Sequence, residues 1–456
     1  MKTLKALILR WVQTSVSASG RRAVSKSFIC KFGPIMKELP VFSPDNRRLA
    51  YVGRSGESWF VVVNGKEEQP YDGIVMRTLI FSPDSRRVAY GAGVGKKQFV
   101  VVDCEEQKSY DAVGNGSLVF SPDSRRVAYE AEVGKKRFVV VDGEEEKPYD
   151  SFGDGSPIFS PDSRRKAYIA RSGTRWFVVV DGMEGKSYDA IGDGSLTFSP
   201  DSQRLAYAAK VDKKWFAVAD GQEEKSYDAL SKPVFSPDSR RLGYWAGSGA
   251  KRFVVVDSKE EKPYDAIGDG GLTFSPDGQR VAYAAKLREK WLVVADRQED
   301  KPYDGIGNLV FSPNSRRVAY MATIGERRFA VADGEEGKSY DDFGQLIFSP
   351  DSQRVAYWIK DSGRYHVVVD GKEGKPYDGI GEGTLIFSPD SRRVAYEAKV
   401  GRKWIVVVDG EEGKPYDGFP DGTIIVFDSP SSLRYLASRQ VAKGRYDVYL
   451  VEERFD

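Results

Sequence analysis

Read for apolar and polar positions, the chain repeats one short phrase. A brief apolar run, such as TLIF at Thr384–Phe387, leads into SPDS, a turn with Pro second and Asp third. RRVAYEAKV then alternates polar and apolar with a period of two, the mark of a half-buried strand. GRK turns the chain into WIVVVDG, a β-branched run that suits a strand and is too short for a helix. EEGK turns it again, and KPYDG reads as a fourth strand.

This phrase recurs along the whole chain. Its anchor Phe falls at ten places from Phe42 to Phe387, spaced by 37 or 39 residues, and a degenerate eleventh copy begins at Phe427. Four antiparallel strands every 37–40 residues are the pattern of a propeller blade. A blade cannot bury both faces alone, so its neighbours must cover it. One Tyr per unit on the second strand, as at Tyr90, Tyr129 and Tyr168, predicts rings buried between blades with hydroxyls led to a partner. A parallel β-helix is the weaker alternative, because its coils lack antiparallel hairpins.

The ends of the chain complement each other. In most units a strand-four Tyr lies ten residues before the next anchor, as Tyr71 does before Phe81, but the last unit stops after three strands. Phe32 lies ten residues before Phe42 and aligns with that Tyr column. The expected fold is therefore all-β: a single closed β-propeller of eleven four-stranded blades, its last blade completed by an N-terminal strand. In this reading, strand 25–38 closes the blade formed by 421–456, residues 25–456 are the propeller, and residues 1–24 are a tail or signal segment. Eleven exceeds the usual four to eight blades or so. Two rings would need a second closure and a break in the repeat, and the sequence has neither.

Composition narrows the chemistry. With 69 basic and 67 acidic residues the net charge is +2, which argues against recruitment by nucleic acid through bulk charge. No apolar run approaches the ~18 residues of a spanning helix. Cys30 and Cys104 are too few for a disulfide framework or a thiolate metal site, and are expected to be free thiols. The only histidine, His366, fills a column held elsewhere by Phe99, Phe138 and Phe177, so it reads as packing rather than as a catalytic base. No metal and no cofactor are expected.

FSPDSRRVAY is similar to the anchor of WD-like β-propeller repeats of the TolB type, which also build the propellers of prolyl oligopeptidase-like enzymes. The resemblance covers about residues 27–456, and what it implies is a protein-binding or gating module. The departures are clear. The anchor Gly is Ser in most units and survives only at Gly278, and there is no room for an additional α/β domain. No G-x-S-x-G elbow marks a hydrolase domain.

Three sets of residues are candidates. The Arg that closes each anchor turn, Arg87 and its ten-fold equivalents, could form an anion-binding ring; the structural alternative is turn chemistry plus pairing between blades with the acidic DGEEGK turns. The Gly-rich loops from strand four to the next strand one place Asp154, Asp193, Asp269, Glu382 and Asp421 at one channel mouth, where they would attract a cationic peptide, a basic protein or cations. Asp-Gly turn propensity is the competing explanation. Three units shorten this loop, at Leu230, Gly307 and Gly344, breaking the symmetry of the array. Basic turns such as Lys96–Lys97 and Lys213–Lys214 lie on the same face, and Trp59, Trp176, Trp215, Trp291 and Trp404 open third strands.

The function these features predict is a non-enzymatic scaffold that binds protein or peptide as a monomer, without nucleic acid or a transmembrane segment. The alternative is a propeller lyase or hydrolase using carboxylates at the channel mouth. Residues 1–18 have a basic start and a short apolar stretch broken by Arg10; acting as a signal peptide, they would make the protein periplasmic or secreted, and otherwise it would be cytoplasmic.

Overall fold

A computed structural model describes residues 12–16, 22–32, 40–155, 157–420 and 422–455. Every regular element in it is a strand, and none of its residues forms a helix. The strands make eleven sheets, the blades of a β-propeller, numbered here from the anchor Phe42 to the anchor Phe427. The chain divides into two compact units, Met1–Ile74 with Lys375–Asp456, and Val75–Gly374.

Blade 3, in the unit Val75–Gly374, shows why the sequence folds this way. Its second strand, Val127–Val133, pairs with the third, Lys136–Val141, across a tight hairpin with Gly134 at φ 63°. Positive φ favours glycine there. The fourth strand is two stubs: Glu144–Glu145 pairs with Val140–Val141, and Tyr149 bridges Arg137. The sequence places the residues after that Tyr in the fourth strand, and the structure corrects this. In the preceding unit the chain crosses over directly after Asp111, and Ala112–Val113 pairs with Ala131 and Glu132 of blade 3. Val119–Phe120 pairs further along the same strand, with Val127 and Ala128.

The Gly-rich segment is therefore no connection between strands. It is a bulge within the first strand. Partner numbers sum to 244 at Val113–Ala131 and 247 at Val119–Ala128, so three extra residues are looped out. In the shortened blades 8 and 9 the first strand runs unbroken, over Gly305–Phe311 and Asp342–Phe348, with one extra residue each. The two-residue difference in repeat length is thus the difference between the two bulges, three extra residues against one.

Packing follows the Tyr columns as expected. Tyr110 at the end of blade 2 meets Tyr129 of blade 3 edge-on at 6.2 Å, and both are buried. The hydroxyls of Tyr168 and Tyr244 donate to Glu146 and Glu224 at 2.8 and 2.6 Å. Val75, Val100, Val113, Leu118 and Val140 complete the apolar layer between these blades. Burying each such side chain contributes roughly 1.5–3 kcal/mol.

In the other unit the chain ends meet as the Tyr spacing requires. Arg22–Phe32 pairs antiparallel with Arg445–Phe455, with Phe32 opposite Tyr446. The strand starts three residues before the expected position 25, while 33–38 lie outside the described residues. Val12–Val16, expected in a tail, adds a further strand on the outer side of Arg22–Phe32. The closure is locked by a buried ion pair between Arg22 and Glu453, 4% and 0% exposed. Tyr435 also donates to Glu453 at 2.6 Å, and Arg22 donates to the carbonyls of Val406 and Glu411 at 3.2 and 3.1 Å. Those extra bonds satisfy groups that would otherwise make a buried pair costly.

Candidate functional site

Most of the charge repeated in every unit holds blades together. At the anchor turn of blade 2, Ser82 donates to Asp84 at 2.6 Å, and the Arg86 amide donates to the same carboxylate at 3.0 Å. These bonds hold the Asp84 carboxyl below its ordinary range, the Ser82 hydroxyl contributing most. The Asp84 amide donates to Ser124 of blade 3 at 2.9 Å. Arg87 bonds Asp103 of its own blade at 2.7 Å and donates to the carbonyls of Ser124 and Arg125 in the next. The structure thus gives the Arg column a clamping role. It also corrects the expected pairing: the carboxylate partner lies in the same blade, and only backbone carbonyls are reached across the boundary.

The opposite end has its own clamp. Lys97 donates to Asp111 at 2.7 Å, and the second oxygen of Asp111 accepts from the Gly134 amide of blade 3 at 2.7 Å. At the outer edge, Lys338 and Tyr340 both donate to Glu373 of the next blade, at 2.6 and 2.9 Å. The Trp column is likewise accounted for. Trp59, Trp176, Trp215 and Trp404 are half-buried, each under a cation on the neighbouring strand, as Arg54 lies 5.1 Å from Trp59. The Nδ1 of His366 lies 3.1 Å from the Gly374 carbonyl, to which its N–H donates, and this fits packing.

With the clamps set aside, one of the columns in which the units differ lies at the first-strand bulge. The column just after the second-strand Tyr reads Gly91, Glu130, Ile169, Ala208, Trp245, Ala284, Met321 and Trp358 in the unit Val75–Gly374. It reads Val52, Glu397 and Leu436 in the other. Glu130, Ile169, Ala208, Ala284, Trp358 and Glu397 each lie against their own bulge. A Cβ on Gly114 would fall 2.9 Å from the Glu130 Cβ, and one on Gly153 would fall 2.9 Å from that of Ile169. The sequence reading did not single out this column, although its variability was visible in the aligned repeats.

Residue size and bulge size are matched. In blade 3, where three extra residues are looped out, a hydroxyl staples the bulge: Ser117 donates to the Gly114 carbonyl at 2.9 Å and accepts from the Glu130 amide at 3.0 Å. Ser195 and Thr384 repeat this in blades 5 and 10. Blades 8 and 9, with one extra residue, carry Met321 and Trp358 instead. A Cβ on Gly344 would lie 2.0 Å from the Trp358 ring, so only glycine fits beneath it.

The acidic residues singled out from sequence lie on these bulges. Asp154, Asp193 and Asp269 belong to the unit Val75–Gly374 and are exposed. The loops of Asp154 and Asp193 touch, the Gly194 amide donating to the Asp154 carbonyl at 3.3 Å. Glu382 is exposed on its bulge in the other unit, and Asp421 lies outside the described residues. The placement of these residues within strand one, rather than in a connection, is the correction the fold imposes.

A cleft of about 360 Å³ opens at the bulge of blade 3, and Gly114, Ser117, Glu130, Arg137, Phe152 and Asp154 line it. Burial pushes the Glu130 carboxyl up to about 7; Arg137 pulls it down, and Asp154 across the cleft pushes it further up. Arg137 is bonded to Glu132 at 3.1 Å, in the position where other blades stack a cation on Trp. Glu397, in the same column of blade 10, is 7% exposed, and burial alone pushes its carboxyl up to about 8. Among the described residues, no group of three or more His, Cys, Asp or Glu is placed to hold a metal ion. Neither cysteine forms a disulfide among the described residues; Cys104 is exposed, and burial pushes the Cys30 thiol up to about 12. Among the described residues, no helix is long and apolar enough to cross a membrane.

These features define a β-propeller. No family model matches the chain, and no curated protein matches it. Solved structures resemble it at the level of fold. A eukaryotic initiation factor is 13% identical, covering 81% of this chain and 96% of its own, with a TM-score of 0.43. TolB from Acinetobacter baumannii is 14% identical, covering 56% and 81%, with a TM-score of 0.25. A GH74 enzyme from Niastella koreensis is 12% identical, covering 93% and 82%, with a TM-score of 0.29.

Proposed function

We propose that this chain is a non-enzymatic β-propeller that binds a basic peptide or protein segment along its first-strand bulges. One observation carries the reading: charges common to all units are consumed in clamps between blades, whereas unit-specific residues collect at the bulges. Specific recognition needs unequal sites, and a structural array needs equal ones. Exposed Asp154, Asp193 and Asp269 supply the negative field on these bulges. The test is titration of the full chain with a lysine- and arginine-rich peptide at low and high salt. A variant carrying Asp154→Asn, Asp193→Asn, Asp269→Asn, Glu382→Gln and Asp421→Asn should lose most of the affinity and most of its salt dependence. Unchanged binding rejects the reading.

A hydrolase or lyase is the second reading, favoured by the Glu130 carboxyl, which burial pushes up to about 7 beside Arg137 and Asp154. A general acid needs that combination of burial and proximity. Turnover of any substrate that is abolished by Glu130→Gln would replace the scaffold reading with this one.

A further inference from the structure

The cleft of blade 3 differs from its counterparts in a way that selects a ligand group. Its second strand brings Glu130 and Glu132 to positions held by Ile169 and Arg171 in blade 4, and its third strand brings Arg137 where blade 4 has Trp176. The four charged side chains at the cleft are Glu130, Glu132, Arg137 and Asp154, and Arg137 is already bonded to Glu132. One positive charge thus faces three carboxyl groups. Glu130 is half-buried in the wall of the cleft, where its side chain has no hydrogen-bond partner among the described residues. Asp154 stands exposed on the opposite wall, contributed by the bulge of blade 4. The glycines at 114, 116, 153 and 155 keep side chains out of the opening.

We propose that this cleft is a subsite for one cationic side chain of the bound segment, a lysine ammonium or arginine guanidinium held between Glu130 and Asp154. The proposal rests on the binding reading above and names the residue pair that gives it selectivity. A desolvated carboxylate left without a donor is costly, and a cation that brings its own donors removes that cost. The volume of about 360 Å³ accommodates one such side chain and its flanking backbone. Phe152 gives the aliphatic stem an apolar wall.

The experiment is calorimetric titration of the full chain at pH 7 with short peptides carrying a single Lys or Arg, and with the same peptides carrying norleucine there. The subsite predicts at least a ten-fold preference for the cationic peptide. Because burial holds the Glu130 carboxyl near 7, with Arg137, Glu132 and Asp154 the charged groups facing it, cation binding releases protons. Heats measured in buffers of different ionisation enthalpy should show that release in the wild type and none in Glu130→Gln. Both Glu130→Gln, which keeps the shape, and Asp154→Asn should bring the preference below about three-fold, with unaltered melting temperatures excluding misfolding. Basic peptides that still bind equally well to both variants, but not to the five-fold bulge variant, would overturn the subsite and leave the broader reading intact. Binding insensitive to every one of these substitutions, or no binding of basic peptides at all, would overturn both.

Discussion

Blades 3 and 9 were built from nearly the same phrase, yet they solve one packing problem in opposite ways. In blade 3 three extra residues loop out of the first strand, a Ser hydroxyl ties the loop down, and an ionisable Glu130 sits beneath it. In blade 9 a single extra residue remains and the Trp358 ring fills the space. The lesson is that loop length and side-chain volume are exchanged within a fixed frame. In blade 3 the long bulge leaves a polar opening, and in blade 9 an aromatic ring lies against the short one.

The most disruptive way to break this comparison is Gly344→Ala. The new methyl would overlap the Trp358 ring, and stability should fall by about 3 kcal/mol, the upper end for overpacking. Chemical denaturation measures this; a loss below about 1 kcal/mol would mean that the ring moves aside freely.

Next comes the ionisable floor of a long bulge. Glu397 is buried with its carboxyl raised to about 8, so the folded state prefers the protonated form. Its stabilisation is complete below the ordinary carboxyl range near 4.5 and is lost as pH rises towards 8. Between pH 5 and 7 the wild type should lose on the order of 2 kcal/mol relative to Glu397→Gln, which stays neutral. Parallel pH profiles for the two proteins would contradict this.

A smaller effect sharpens the exchange of loop for ring. Trp358→Ala should cost about 2 kcal/mol, less than a fully buried Trp because the ring is half-exposed. Inserting two residues into the blade 9 bulge should also destabilise on its own. The double variant should be more stable than the summed losses by about 1 kcal/mol or more, the sign of coupled neighbours. Simple additivity would show that ring and loop do not compete for one space.

The smallest effect concerns the staple. Ser117→Ala removes one hydroxyl that serves the Gly114 carbonyl and the Glu130 amide, at a cost of about 1 kcal/mol. Amide exchange of Glu130 should quicken in this variant, while blade 9, which has no such staple, supplies the unchanged reference.

Much of this architecture was legible in residue order, because a repeated phrase states its period openly. Four strands per unit, the Tyr layer and the pairing of the chain ends follow from alternation, turn residues and the position of Phe32. The division between strand four and the next strand one was not legible. Apolar pairs such as Ala112–Val113 suit either neighbour, and only hydrogen bonding to Glu132 and Ala131 assigns them. The acidic residues were recognised, but the carboxyl with the most altered environment in blade 3, Glu130, was not. Its signal was a column in which neighbouring units disagree, Gly91, Glu130 and Ile169 following one another.

The sequence by itself determined the periodic frame: the spacing of the anchors, the strand count and the complementary ends, because these depend on local pattern and on one segment fitting one gap. The tertiary structure alone decided what the conserved charges do and where the unequal ones gather. Whether Arg87 is a binding group or a clamp depends on the Ser124 and Arg125 carbonyls, which lie 37 and 38 residues away and become neighbours only when blades pack. Burial and charge at Glu130 arise in the same way, from a neighbouring blade that brings Asp154 to the far wall of its cleft.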